Sequence, residues 1–140
     1  MEVSGRYPWV RLMVFVAVAY VVIGVGSAAL DKSVRGGPMH PWRLAAWVAS
    51  VAVAAAHLRY EHDRLGSSPS RTAMRVTGAV ALGAFGAAVA ANVHWLFAVE
   101  TRGGRSPLLA LPVWPVVGAI PTFLVALAAA TVLARFSRRA

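Results

Sequence analysis

The residues best suited to chemistry lie in one short polar stretch near the middle of the chain. Two pairs are spaced four apart, His57 with Glu61 and Arg59 with Asp63, so each pair shares one face of a helix. A histidine beside a carboxylate can relay protons or hold a divalent cation. A salt-bridged, solvated helix end would have the same spacing. His57, Glu61, His62 and Asp63 are therefore a candidate functional cluster, with both interpretations open.

A second group of residues has side chains that ligate metals. His40 and His94 are the metal candidates, and Asp31, Met39 and Glu100 are their companions in the loops at the same ends of the helices. Imidazole, thioether and carboxylate together suit copper or zinc. No two of these ligands have a diagnostic helical spacing, so no cofactor is assigned.

Several chemistries are excluded by what the chain lacks. It has no cysteine, which excludes disulfides, thiolate metal sites and cysteine nucleophiles. It has no Gly-rich phosphate loop and no Ser-His-Asp context. The apolar segments carry no carboxylate of the kind that small proton-coupled exporters need. No catalytic residue is assigned, and a non-enzymatic role is favoured.

The polar stretch lies between segments that contain no Asp, Glu, Lys or Arg. These segments are 12–30, 44–58, 76–99 and 106–134. A charge at the centre of a bilayer costs ~2.5 to 3.5 kcal/mol, which explains such a distribution. Only 14% of the residues are charged, against about 25% in soluble proteins. The fold class predicted is an all-α polytopic membrane protein, a four-transmembrane-helix bundle with short loops.

The whole chain, 1–140, is predicted to form a single integral membrane domain. Its spans are placed at about 10–30, 42–60, 75–99 and 115–135. The last segment carries prolines that cannot all lie inside one straight helix: Pro107, Pro112, Pro115 and Pro121. We expect 107–114 to be an interfacial or extended lead-in, followed by a helix kinked near Pro121.

The basic residues indicate an orientation. Nine Lys and Arg flank the termini and the second loop, against five in the first and third loops. The positive-inside rule then places both termini in the cytoplasm, and the expected location is the bacterial inner (plasma) membrane. The net charge of +9 is assigned to this rule and to anionic lipid headgroups, and not to nucleic acid.

Small residues predict how the helices pack. Gly83, Ala87 and Ala91 repeat every four residues in the third segment, and Ser50 lies on a similar face of the second. Such faces let helix backbones approach closely in a membrane. We expect the second and third helices to pack through Gly83 and Ala87. An oligomer seam on one of these faces is the alternative.

Three function classes remain open. The first is a non-enzymatic bundle acting as an oligomeric pore or transport protein, or as an accessory subunit of a membrane complex. The second is a metal-handling or enzymatic membrane protein using His57/Glu61 or His40/His94. The third is a lipid-binding, membrane-organising protein. The partners expected are the lipid bilayer, anionic lipids, and either further copies of the chain or a larger membrane complex.

Overall fold

The computed structural model describes residues 8–33, 41–97 and 107–137, and every element in these ranges is helical. The helices are α1 (Pro8–Ser33), α2 (Pro41–Leu65), α3 (Pro69–Phe97) and α4 (Ala110–Ser137). A single 3₁₀ turn, Pro107–Leu109, precedes α4. His40, Met39 and Glu100 lie outside the described residues.

Three of the helices begin at a proline, namely Pro8, Pro41 and Pro69. Proline suits this position because its φ is already helical and its missing N–H would have had no partner there. The α2–α3 connection is only 66–68. Gly66 has a φ of +54°, the left-handed conformation that glycine adopts most easily. The N–H of Thr72 donates to the Ser68 carbonyl at 3.0 Å and begins α3.

The expected lead-in at 107–114 is wrong for most of its length. After the 3₁₀ turn, α4 is helical from Ala110 and contains Pro115 and Pro121. Pro112 falls in the first turn, where a missing N–H removes no intrahelical bond. Near Pro121, Thr122 Oγ1 donates to the Gly118 carbonyl at 2.7 Å. A proline-rich sequence can therefore form a continuous helix when the prolines fall in the first turn or at isolated interior positions.

Within 8–33, 41–97 and 107–137, three helices are long and apolar enough to cross a membrane. The segments are Pro8–Leu30, Pro69–Phe97 and Ala110–Phe136, and α2 does not meet the same criteria. Its charge-free part, 44–58, is 15 residues long, or about 22 Å of helix against a hydrocarbon core of ~30 Å. Length and composition thus support a helical membrane protein with three candidate spans.

Helix α3 is the central element and packs most extensively against α4 and α1. Ala73, Val76 and Ala126 form the buried core between α3 and α4, with Leu58 of α2 against it. Because Leu58 is near the end of α2 and Val76 near the start of α3, this core lies toward the α2–α3 connection. We call this end of the molecule the hairpin end.

Helices α1 and α2 run antiparallel. At mid-length, the Tyr20 hydroxyl donates to the Ser50 carbonyl at 3.4 Å. At the hairpin end, Trp9 and Glu61 both approach Arg75. Trp9 lies eleven residues before Tyr20, and Glu61 lies eleven residues after Ser50. The two helices are therefore aligned side by side over these eleven residues, with Trp9 opposite Glu61 and Tyr20 opposite Ser50.

The predicted partner of the small-residue face is wrong. A Cβ added to Gly83 would lie 2.5 Å from Tyr20 Cβ and 3.2 Å from the Ala17 carbonyl oxygen, so this glycine packs on α1 and not on α2. The Ala87 Cβ likewise lies 3.7 Å from a Cβ built on Gly24 of α1. Ala91 is exposed. Four-residue spacing predicts a close contact but does not specify the neighbour.

Replacing Gly83 by Ala should lower the free energy of unfolding by about 1 to 3 kcal/mol, because the new methyl group forces α1 and α3 apart. Gly26→Ala is the matched control, since a Cβ there has no neighbour within 4 Å. Thermal unfolding in detergent measures both variants. Equal unfolding temperatures for the two would contradict the α1–α3 contact.

Candidate functional site

The candidate site lies at the hairpin end, where α2 finishes and α3 begins. Glu61 is fully buried and His57 is 2% exposed, although both belong to the most polar part of the sequence. They are four residues apart on α2, and their shared face points into the bundle. His57 and Glu61 therefore face other helices and not the surroundings of the bundle. Whether they have a function stays a prediction.

The Glu61 carboxylate is held by α3 and by the connection before it. Arg75 Nη1 donates to Glu61 Oε2 at 2.8 Å, and Ser67 Oγ donates to the same oxygen at 3.0 Å. Arg75 Nη1 also donates to Ser67 Oγ at 3.0 Å. The three side chains form a closed triangle, which we call the Glu61–Arg75 lock. Its short, charge-assisted hydrogen bonds offset part of the cost of removing a carboxylate from water.

Helix α1 completes this end of the bundle. The Arg75 guanidinium carbon lies 4.9 Å from the centre of the Trp9 ring, which is cation–π geometry. Arg75 therefore contacts α1 through Trp9 and α2 through Glu61. One cation at the start of α3 joins three helices.

His57 is close to this lock without being hydrogen-bonded to it. Its Nε2 lies 3.8 Å from Glu61 Oε1, which is too long for a hydrogen bond. Among the described residues, neither nitrogen of His57 nor Glu61 Oε1 has a hydrogen-bond partner. A proton on Nε2 would face the free carboxylate oxygen across this gap. The pair therefore has unused hydrogen-bonding capacity in an enclosed position.

The other members of the predicted cluster lie elsewhere. Asp63 pairs with Arg59 at 3.3 Å on the exposed face of α2, which matches the predicted four-residue pairing. His62 is half-buried. The structure thus divides the cluster into a buried pair, His57 and Glu61, and an exposed ion pair.

The metal candidates do not come together in the part of the chain that the structure describes. His94 lies exposed near the far end of α3, and His40 falls outside the described residues. Within 8–33, 41–97 and 107–137, no group of three or more His, Asp or Glu residues is arranged to hold a metal ion.

Sequence reasoning missed Arg75, Ser67 and Trp9 as partners of the cluster. A signal was present, because Glu61 lies seven residues before Ser68 and Arg75 seven after it. Residues equidistant from a tight turn can meet across a helical hairpin. A carboxylate buried among the helices was also not expected. Glu61 lies outside the charge-free segments and is nevertheless fully buried.

A large apolar cavity that is open to the outer surface of the bundle lies between the helices, beyond the core from the hairpin end. Its volume is about 850 Å³, and all four helices contribute to its wall. Ser50 of α2 and Gly83 of α3 both line it. Among the described residues that form its wall there is no Asp, Glu, Lys, Arg or His. We call it the interhelical cavity.

Replacing Glu61 by Gln should lower the free energy of unfolding by about 2 to 3 kcal/mol, because Arg75 would lose its buried counter-charge. Asp63→Asn is the matched control. It makes the same carboxylate-to-amide change two residues further along α2, in the exposed ion pair with Arg59. This change should cost less than about 0.5 kcal/mol. Chemical unfolding in detergent measures both. Similar losses for the two variants would contradict a special role for the buried pair.

Comparisons with known proteins returned no match: no protein-family model, curated protein or solved structure is similar to the chain. The features of the molecule that bear on its function are the Glu61–Arg75 lock, the interhelical cavity and the apolar helices.

Proposed function

We propose that α2 crosses the membrane beside the three apolar helices, which makes the protein a four-span bundle. The antiparallel, level alignment of α1 and α2 supports this, because a helix that follows a spanning helix over its length shares its depth. The low apolarity of α2 is compatible with a span, since its most deeply placed ionisable groups, His57 and Glu61, are enclosed by protein.

The proposed orientation places the hairpin end and both termini in the cytoplasm of a bacterial inner membrane. Nine of the fourteen basic residues belong to that side, as the positive-inside rule requires. Arg75 is among them, and it is engaged with Glu61 and Trp9. The remaining basic residues near this end would favour anionic lipid headgroups.

Within this topology, the function we propose is that of a non-enzymatic accessory subunit of a larger membrane complex. The observation that carries the proposal is the separation of polar and apolar interiors. Two ionisable groups, His57 and Glu61, are enclosed at the hairpin end, and the wall of the interhelical cavity is formed by uncharged residues. Neither feature offers a polar solute or ion a route through a single copy.

The outer surface supports the same proposal. Large apolar side chains are exposed along every helix, for example Phe15 on α1, Trp47 on α2, Phe85 on α3 and Leu124 on α4. In a membrane this surface contacts lipid or the helices of other proteins. An oligomeric pore would need several copies to build a polar path between protomers, and transport by such an oligomer is the competing function.

The full-length chain, extracted in mild detergent, should co-purify in a fixed stoichiometry with another membrane protein, as measured by native mass spectrometry. In parallel, the chain alone in vesicles should give no ion flux above that of empty vesicles. A homo-oligomer that conducts ions would support the pore instead. A chain that purifies without any partner would contradict the accessory role.

A further inference from the structure

The interhelical cavity is elongated along the helices. On α4 its wall runs from Val113 to Ala126, a rise of about 20 Å. Trp47 and Trp114 line it toward the end away from the hairpin, while Ala126 belongs to the core at the other end. The hydrocarbon core of a bilayer is ~30 Å thick, so one leaflet occupies ~15 Å. The cavity wall on α4 is therefore long enough to contact a lipid chain over the depth of one leaflet.

The chemistry of the wall selects an apolar occupant. Tyr20 and Thr122 are two of its hydroxyl-bearing residues, and both hydroxyls already donate to backbone carbonyls. A buried water needs two to four polar partners, and an apolar cavity of ~150 Å³ in a protein stays dry and binds benzene. A space of about 850 Å³ with this wall suits a longer hydrocarbon.

The sequence segments between the described helices are poorly matched to this wall. Segments 34–40 and 98–106 carry charges, including Arg35, Glu100 and Arg102. Placing such side chains against an uncharged wall would be costly. The bilayer supplies hydrocarbon chains at high local concentration, and they belong to phospholipids.

We propose that the interhelical cavity binds one acyl chain of a phospholipid from the leaflet on the Trp47/Trp114 side. The chain lies between α2 and α4, against the α3 wall from Val80 to Ala87. The headgroup remains at the membrane surface, because no charged residue lines the cavity to receive it. The bound chain fills the space that separates α2 from α3. This binding site is independent of the accessory role proposed above.

Cavity-filling variants test the proposal. Ala84→Phe and Gly118→Leu add side-chain volume at two lining positions, and a Cβ at Gly118 meets Val80 only at an ordinary 3.7 Å. Ala128→Phe is the matched control, because Ala128 is exposed on the surface of α4. Circular dichroism establishes that each variant keeps its helices.

The delipidated full-length protein is titrated with palmitoyl-oleoyl-phosphatidylglycerol in detergent, and bound lipid is counted by native mass spectrometry. We expect one tightly retained lipid for the natural chain and for Ala128→Phe. The affinity of both cavity variants should fall by about tenfold or more. Equal retention of this phospholipid in all four proteins would overturn the proposal.

A second measurement needs no variant. A phospholipid with a diazirine in its acyl chain is photolysed with the natural protein in vesicles, and the adducts are mapped by peptide mass spectrometry. Gly83 is buried within the bundle, so surrounding lipid does not reach it. Adducts at the lining positions Val80, Gly83 and Ala84 would support the proposal. Adducts confined to exposed positions, such as Leu82 and Phe85 of α3, would overturn it.

Discussion

The ion pair between Glu61 and Arg75 is the constraint on which this bundle depends. A carboxylate with no exposure to solvent is strongly destabilising unless a cation and hydrogen-bond donors face it. Arg75 and Ser67 supply both at 2.8 and 3.0 Å. Because Arg75 also lies over Trp9, satisfying this one carboxylate fixes the relative positions of α1, α2 and α3. Removing Arg75 would leave the Glu61 carboxylate charged and enclosed.

The same constraint explains how a less apolar helix takes its place among three strongly apolar ones. Helix α2 is attached at the hairpin end by the Glu61–Arg75 lock and at mid-length by the Tyr20–Ser50 hydrogen bond. Helix α2 makes much less contact with α3 than α1 and α4 do. The interhelical cavity lies between α2 and α3, around the level of Ser50. Tight polar attachment at one end and an apolar space beyond it are therefore two aspects of one arrangement.

Much of the local structure could be predicted from the sequence. Charge-free runs and prolines at first-turn positions located the helices, and the spacing of His57 and Glu61 placed them on one face. Partner choice could not be predicted from local patterns. Gly83 repeats with other small residues, yet its neighbour Tyr20 lies on α1 and not on α2. The pairing of Arg75 with Glu61 could have been predicted, because the two residues are equally far from Ser68 in the turn at 66–68 that joins their helices. The predicted lead-in at 107–114 relied on the number of prolines in this segment. Their positions within α4 matter more, because α4 is helical from Ala110.

The central claim is that α2 crosses the membrane because its ionisable residues are enclosed at one end of the bundle. Single cysteines test it most directly, since the chain has none of its own. Suitable positions are Ser33, at the end of α1, and Ser70, which is exposed in the first turn of α3. Ser67 is unsuitable because its hydroxyl bonds to Glu61. With an impermeant thiol reagent on intact cells, Ser33→Cys should be labelled and Ser70→Cys should be labelled only after permeabilisation. Labelling of both positions from the same side would contradict a membrane-crossing α2.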